Sequence, residues 1–120
     1  MARILVVEDE NSLAMEMSWL IEDAGYSVVG PERSVETTCA LLARHKVDLA
    51  LLDVMLGSET VFPISRMLDV MGTPFIFVTG HSLSALPPEY RHRPLMLKPC
   101  RPPVLMALIR QLLGNTGLAT

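Results

Sequence analysis

The sequence predicts an α/β fold in which five short parallel strands alternate with helices in a doubly wound sheet. Apolar runs of strand length alternate with stretches whose apolar residues recur at helical spacing. Strands that alternate with helices favour a parallel sheet with right-handed crossovers and helices on both faces. The chain has 120 residues, of which 50% are hydrophobic, which is enough for one well-filled core. We expect a single domain over residues 1–120.

The first unit is a strand followed by a helix. The apolar run Arg3–Glu8 predicts the first strand. Asn11 or Ser12 can cap the helix, because their side-chain oxygens accept hydrogen bonds from the free N–H groups of a first turn. Gly25 favours a left-handed end. The predicted inward face of this helix comprises Leu13, Met17, Leu20, Ile21 and Ala24.

The second unit is built in the same way. Tyr26–Val29 predicts a short second strand that the dipeptide at 30–31, Gly-Pro, is expected to break. Ser34 is predicted to cap the second helix, after which Val47–Leu52 forms the third strand. The predicted inward face of the second helix comprises Val35, Cys39 and Leu42.

The third unit runs from a helix into the fourth strand. Thr60 is a plausible cap, which places Pro63 in the first turn, where its missing N–H does no harm. Phe75–Thr79 predicts the fourth strand. The predicted inward face of the third helix comprises Val61, Ile64, Leu68 and Met71.

The stretch after the fourth strand departs from this pattern. Two adjacent prolines and the lack of a sustained helical period predict a short or irregular fourth helix, of one or two turns around Leu83–Leu86. Pro94–Leu97 predicts the fifth strand, and a last helix runs from about Pro102 or Pro103 and ends at Gly114. This helix carries two apolar stripes, Leu105, Leu108 and Leu112, and Met106, Ile109 and Leu113. Either a broad core face or homodimerisation through the second stripe explains them.

Composition excludes several classes of protein. The formal net charge of -3 argues against DNA as a partner, since phosphate binding needs clustered basic residues. No apolar stretch approaches the ~20 residues of a membrane span, and no signal peptide precedes the first strand, so we expect a cytoplasmic protein. Cys39 and Cys100 are too few for a disulfide framework and are interpreted as core residues, with a redox role for Cys100 as the alternative.

Four of the apolar runs end at polar residues that can do chemistry. These residues are Glu8 and Asp9, Asp53, Thr79 and Lys98. Because the carboxyl ends of parallel strands meet at one edge of a sheet, we expect the five side chains to converge there.

The chemistry of the cluster points to a divalent cation and a phosphoryl group. Adjacent carboxylates favour binding a cation, and an all-oxygen site suits Mg²⁺. Asp53 and Asp9 are the best direct ligands, with Glu8 acting through water. A buried carboxylate can also attack phosphorus to give an aspartyl phosphate, whose oxygens Lys98 and Thr79 could contact.

The segments ILVVEDE, LALLDVML, FIFVTG and LMLKP resemble, in this order, the signature stretches of two-component response-regulator receiver domains. The likeness covers essentially the whole chain. It implies a flavodoxin-like (βα)5 fold, with Asp53 as phosphoacceptor from a sensor histidine kinase or a histidine phosphotransfer protein. Such a domain is a signalling domain rather than an enzyme, and it acts by protein contact or as a phosphate sink.

The same resemblance implies roles for the other residues of the cluster. Glu8 and Asp9 form the acidic pair, and Asp9 and the backbone carbonyl of Met55 bind Mg²⁺ or Mn²⁺ directly. Thr79 is the switch hydroxyl and Lys98 contacts the phosphate.

A narrower likeness links the chain to stand-alone receivers. The stretches GSETVFP, GTPFIFVTG and LPPEYRHRP resemble the alphaproteobacterial FATGUY family, although Val78 and Ser82 depart from its motif. Receivers commonly carry an aromatic residue three positions before the lysine, where this chain has Leu95. The phosphorylated state is therefore expected to be read out through the segment Gly80–Arg93.

Three further residues are candidates outside the cluster. His81 is either a solvated loop residue or, with Met55, a gate for water that tunes hydrolysis of the acyl phosphate. Met15 and Trp19 lie four apart and off the inward face of the first helix, which in receivers touches the kinase. They either contact a partner or pack against a neighbouring element.

Two rival functions differ in class. An enzyme that forms an aspartyl phosphate would need a second carboxylate as acid-base and an inserted substrate cap, and the sequence has no such insertion. A pseudo-receiver would bind a partner without phosphorylation. The complete set of phosphorylation residues argues against it.

Overall fold

Five parallel strands form the central sheet of the protein in a computed structural model that describes residues 1–80 and 86–115. The strands are β1 (Arg3–Val7), β2 (Ser27–Glu32), β3 (Leu49–Asp53), β6 (Phe75–Thr79) and β7 (Leu95–Leu97). Their spatial order is β2-β1-β3-β6-β7. A separate antiparallel hairpin consists of β4 (Met55–Leu56) and β5 (Glu59–Thr60). The described helices are α1 (Asn11–Asp23), α2 (Val35–Leu42), α3 (Phe62–Met71) and α4 (Pro102–Asn115).

Helices cover both faces of the sheet, which confirms the doubly wound prediction. Alternate side chains of a strand point to opposite faces. On β1, Leu5 packs in one core cluster with Leu42 of α2 and Leu68 of α3. Its neighbour Ile4 packs in the other cluster with residues of α1 and α4, including Ile21. The three inner strands are buried on both sides, and their carboxyl ends are left to form a site.

The prediction that residues 30–31 break the second strand is wrong. The pairing of β1 with β2 shifts register between Leu5 and Val7, and Val7 then pairs with Glu32. The strand therefore continues past the dipeptide, and β2 lies at the edge of the sheet, where a proline removes no ladder hydrogen bond. Gly30 has a φ of 91°, and a Cβ there would lie 2.8 Å from the backbone nitrogen of Glu32. Only glycine fits this bulge.

Helix ends agree with the predictions where the signal is local. Ser34 caps α2 by accepting a hydrogen bond from Thr37 N, and Gly25 follows α1 with a φ of 93°. The cap predicted for α1 is wrong, because Glu10 occupies that position and makes no side-chain cap bond. Ala24, predicted to face inward, is exposed because it lies beyond the last helical residue.

The cap predicted for the third helix is also wrong. Thr60 belongs to the β4–β5 hairpin, which the sequence analysis missed, and α3 begins at Phe62. Pro63 lies in the first turn as expected. Met71 is 39% exposed rather than inward, because it is the last helical residue before Gly72 ends α3 with a φ of 74°.

The fourth helix expected around Leu83–Leu86 falls mostly on residues 81–85, outside the described residues. In the described residues that follow, a 3-10 turn forms at Pro88–Tyr90. Tyr90 is only 3% exposed and packs beside Phe77, with ring centroids 5.3 Å apart. On α4 the fully inward residues are Leu105, Ile109 and Leu113, so the two predicted stripes form one broad core face.

Candidate functional site

Polar residues from four strand ends line one cavity of about 330 Å³ at the carboxyl edge of the sheet. Its lining includes Glu8, Asp9, Asp53, Thr79 and Lys98. Asp53 and Thr79 are the last residues of adjacent strands, β3 and β6. The structure thus brings together all five residues expected from the strand-end pattern.

Lys98 bridges two carboxylates across this cavity. Its Nζ lies 3.3 Å from Oε1 of Glu8 and 3.4 Å from Oδ2 of Asp53. Burial alone lowers the pKa of Lys98, but the charges of Glu8 and Asp53 outweigh it and raise the pKa above its usual value. Lys98 therefore stays protonated and carries the positive charge of the site.

Glu8 is the most deeply buried acid of the site. Its Oε2 accepts a hydrogen bond from Glu10 N at 3.1 Å, whereas its Oε1 has no hydrogen-bond partner, since Lys98 approaches without hydrogen-bond geometry. Burial, reinforced by the neighbouring Asp53, raises the pKa of Glu8 to about 8. A buried carboxyl oxygen without a hydrogen-bond partner is chemically suited to contact a cation.

Asp9 is held from two directions by groups that the sequence analysis missed. Gly57 N, in the turn of the β4–β5 hairpin, donates to Oδ2 of Asp9 at 2.9 Å. The guanidinium of Arg33 donates to the backbone oxygen of Asp9 at 2.9 Å. The only available sequence signal was a glycine four residues past Asp53, which is too common to identify a contact with a residue 48 positions away.

Three carboxylates fit a divalent cation. Oxygens of Glu8, Asp9 and Asp53 all lie within 4.8 Å of one another. Oxygen ligands from few protein groups are what Mg²⁺ prefers, and the orphaned oxygen of Glu8 lies in the same cluster. Met55 lines the same cavity, and its N–H donates to Oδ1 of Asp53 at 3.3 Å.

Thr79 is a hydroxyl residue in the lining of the same cavity. The residue is 1% exposed, and its carbonyl oxygen accepts a hydrogen bond from Lys98 N at 2.8 Å. This backbone bond fixes the spacing between Thr79 and Lys98, because β6 and β7 are paired up to that point.

The other predicted residues lie elsewhere. His81 is outside the described residues. Leu95 is half-buried at the start of β7, opposite Phe77. Met15 and Trp19 are 50% and 63% exposed on α1.

Cys100 is buried beside the site. Burial, followed by the nearby Glu16 carboxylate, raises the pKa of its thiol, which disfavours the reactive thiolate. Its packing with α1 and α4 residues agrees with the interpretation as a core residue.

Comparison with known proteins identifies the fold family. Residues 4–110 match the response regulator receiver domain. The chain belongs to this family. The resemblance of the four strand-end segments to receiver domains is thereby confirmed, and receiver domains are signalling domains of two-component systems. Family members generally bind Mg²⁺ at an acidic pocket of the kind described above.

The chain is similar to parts of two curated bacterial regulators. The Phyllosphere-induced regulator PhyR of Methylorubrum extorquens is 32% identical over 115 residues, which cover 92% of this chain and 43% of that protein. The transcriptional regulatory protein YvrH of Bacillus subtilis is 31% identical over 85 residues, 70% of this chain and 36% of that protein. The chain spans less than half the length of these curated relatives.

Solved structures agree with this assignment. SdrG from Sphingomonas melonis Fr1 superposes with a TM-score of 0.83 at 32% identity, covering 94% of this chain and 97% of that chain. PhyR from Brucella abortus gives a TM-score of 0.85 at 29% identity, covering 98% of this chain and 50% of that chain. Among the described residues, no helix is long and apolar enough to cross a membrane.

Proposed function

We propose that this receiver domain accepts a phosphoryl group on Asp53. The observation that carries the proposal is the position of the Asp53 carboxylate, which lies 3.4 Å from the Lys98 ammonium and within 4.8 Å of two further carboxylates. An ammonium beside a clustered carboxylate suits phosphoryl transfer, because most of the catalysis of that reaction is positioning and charge neutralisation. SdrG, at 32% identity, has been solved in a BeF3-activated conformation, which supports the proposal.

The proposed transfer forms one bond to phosphorus and breaks another. An oxygen of Asp53 forms a bond to phosphorus while the P–N bond of a phosphohistidine breaks, and the imidazole leaves. A sensor histidine kinase or a histidine phosphotransfer protein is the proposed donor. We assign no enzyme activity to the domain beyond assistance to its own phosphorylation and dephosphorylation.

Mg²⁺, or Mn²⁺, is the proposed cofactor of this step. Asp9, Asp53 and the backbone carbonyl of Met55 would bind it directly, and Glu8 would act beside them. When bound, the cation neutralises charge on the phosphoryl oxygens. The Lys98 ammonium and the Thr79 hydroxyl would then contact two of those oxygens.

Phosphorylation by a small donor tests the proposal. Incubation with acetyl phosphate and Mg²⁺, followed by intact mass, should show one added phosphoryl group that is absent from Asp53→Asn. Asp23→Asn, which makes the same change at an exposed position at the end of α1, is the control and should be labelled normally. Failure of the wild-type protein to gain mass from any donor would favour the pseudo-receiver, which binds partners without phosphorylation.

The partner surface is proposed to include α1. Trp19 and Met15 present apolar area to solvent on the side of the helix away from the core, which is typical of an interaction anchor. We expect Trp19→Ala to slow transfer from the cognate kinase while labelling by acetyl phosphate is unchanged. Equal transfer rates in the two proteins would remove α1 from the donor interface.

The remaining expectations stay predictions. The domain is expected to act as a monomer or as a phosphorylation-linked homodimer, and to signal by protein contact or as a phosphate sink. It is expected in the cytoplasm, and His81 is expected to tune hydrolysis of the acyl phosphate. Readout through Gly80–Arg93, required by the leucine at position 95, is tested by amide exchange with and without BeF3. Equal exchange in that segment would refute it.

A further inference from the structure

The β4–β5 hairpin connects the acidic cluster to helix α2. Its turn contacts the cluster, because Gly57 N donates to Oδ2 of Asp9 at 2.9 Å. Its second strand contacts the helix, because Oε1 of Glu59 accepts a hydrogen bond from Val35 N, also at 2.9 Å. Val35 is the first residue of α2, so the hairpin spans the distance between the cluster and a helix end.

The hairpin is a tightly specified element. Met55 pairs with Thr60 and Leu56 with Glu59, which leaves a two-residue turn at 57–58. Gly57 has a φ of 64° at the first central position, where a type II′ turn requires a positive φ. Register and turn together orient the N–H of Gly57 toward Asp9.

The hairpin also sets the position of Met55. Thr60, its partner across the two strands, lies next to Glu59 in β5. A hairpin of two residues per strand is not stable alone and takes its position from its attachments. The described attachments outside its own strands include the Glu59 bond to Val35, the Gly57 bond to Asp9 and the Met55 bond to Asp53.

The carboxylate of Glu59 is well placed to attach the hairpin to α2. Ser34 already caps α2 by accepting from Thr37 N, so Glu59 satisfies a different free N–H of the first turn. A negative charge at a helix amino terminus is also favoured by the helix dipole. The bond therefore links the hairpin to the first turn of α2 at the protein surface.

We propose that Glu59 is a positioning residue for the metal site, acting through the β4–β5 hairpin on Asp9 and on the Met55 carbonyl. This inference rests on the proposed function, since it takes both groups as Mg²⁺ ligands. Groups that orient metal ligands without touching the metal contribute to affinity. Glu59 does so by fastening the hairpin to α2. The coupling is reciprocal, so Mg²⁺ binding must tighten the attachment of the hairpin to the same extent.

Calorimetric titration of the intact chain with MgCl₂ tests the proposal without any phosphorylation. Glu59→Ala should raise the Mg²⁺ dissociation constant by about two- to fivefold, the range for an exposed carboxylate at a helix amino terminus. Glu59→Gln keeps an accepting oxygen and should stay closer to wild type than Glu59→Ala. Glu36→Ala is the matched control, since it removes an exposed carboxylate from the first turn of the same helix.

Amide exchange supplies a second readout. In the wild-type protein Mg²⁺ should slow exchange at Val35, and in Glu59→Ala this effect should be lost. Wild-type affinity in Glu59→Ala overturns the inference, as does equal weakening in Glu59→Ala and Glu36→Ala, which would reduce the effect to charge alone. Absence of Mg²⁺ binding by the wild-type protein overturns the proposed function as well, which separates the two failures.

Discussion

The carboxyl edge of the sheet is held by hydrogen bonds and ion pairs, whereas the face of β6 that packs against α3 is held by aromatic contacts. At the carboxyl edge, Asp9 accepts from Gly57 N, and Lys98 reaches across to Glu8 and Asp53. On the face of β6, Tyr90 packs against three phenylalanines, namely Phe62, Phe75 and Phe77.

The difference has a physical origin in the segment after β6. Within the described part of this segment, Pro88 opens a 3-10 turn that ends at Tyr90. Tyr90 is buried against the neighbouring elements, with 3% of its surface exposed. The Arg93 guanidinium then covers the cluster, 5.0 Å from the Phe75 ring centroid, and pairs with Asp69 at 2.7 Å. One aromatic side chain thus anchors this turn to β6 and α3, while the polar groups lie at the carboxyl edge of the sheet.

The largest loss of stability should come from removing the Tyr90 ring. Tyr90→Ala is expected to lower the free energy of unfolding by about 3–5 kcal/mol, the cost of an aromatic-to-alanine change in a core. Urea unfolding measures it, and Tyr90→Phe, which keeps the ring, should stay within about 1.5 kcal/mol of wild type. Labelling of Asp53 in the fraction that remains folded should persist. A cost below about 1 kcal/mol for Tyr90→Ala would mean that packing does not hold this face.

At the carboxyl edge of the sheet, removal of the Lys98 side chain is expected to affect the rate of phosphorylation. Lys98→Ala should slow labelling of Asp53 by acetyl phosphate by about 100-fold, as for loss of one charge-stabilising donor in other active sites. Its Nζ is the cation 3.4 Å from Asp53. The rate is read from intact mass against time, with Lys46→Ala as an exposed control. A rate within about threefold of wild type would contradict the role of Lys98 in the transfer.

The carboxyl edge of the sheet should also respond to pH. The pKa of Glu8 is raised to about 8 by burial, so between pH 4.5 and 8 the folded state binds a proton that the unfolded state has released. The stabilisation from this group is complete below pH 4.5 and is lost as the pH rises to about 8. Without Mg²⁺, unfolding free energy should fall across this window by up to about 1.4 kcal/mol per pH unit, the limit for one proton.

The variant Glu8→Gln isolates the contribution of the Glu8 carboxyl to this pH dependence. The variant carries no titrating carboxyl at position 8, so its unfolding free energy should depend less on pH over the same window. A wild-type profile that rises with pH between 5 and 8, or one that matches the Glu8→Gln profile, would show that Glu8 titrates normally.

The smallest expected changes in unfolding free energy come from two ion pairs near the aromatic cluster. Arg93→Ala should cost about 1 kcal/mol, because its guanidinium both pairs with Asp69 and covers the rings of Phe75 and Tyr90. Arg66→Ala should cost at most about 0.5 kcal/mol, because Arg66 and Glu89 are both more than half exposed. Equal unfolding midpoints for the two variants would show that the aromatic contact of Arg93 contributes nothing.

Much of this architecture follows from local patterns. Alternating apolar runs and helical spacing predicted the five strands and four of the helices, because burial of a strand or helix face requires that periodicity. The convergence of Asp53, Thr79 and Lys98 followed from parallel strands alone. The Ser34 cap and the left-handed Gly25 were likewise predictable, since each depends on a few neighbouring residues.

Contacts between distant residues were not predictable in this way. The continuation of β2 past Gly30 depends on pairing with β1, and the contact of Gly57 with Asp9 joins residues 48 positions apart. The burial of Tyr90 depends on three side chains from other elements.

The sequence by itself determined where chemistry lies, because parallel strands must end at a common edge and this chain ends four of them in charged or hydroxyl groups. Only the tertiary structure decided how close those groups lie to one another, how deeply they are buried and how their pKa values shift. The raised pKa of Glu8 and the bridging position of Lys98 arise from ångström-scale distances and burial. Such distances depend on strand register, twist and the hairpin that packs over the edge, none of which is encoded in the spacing of residues along the chain.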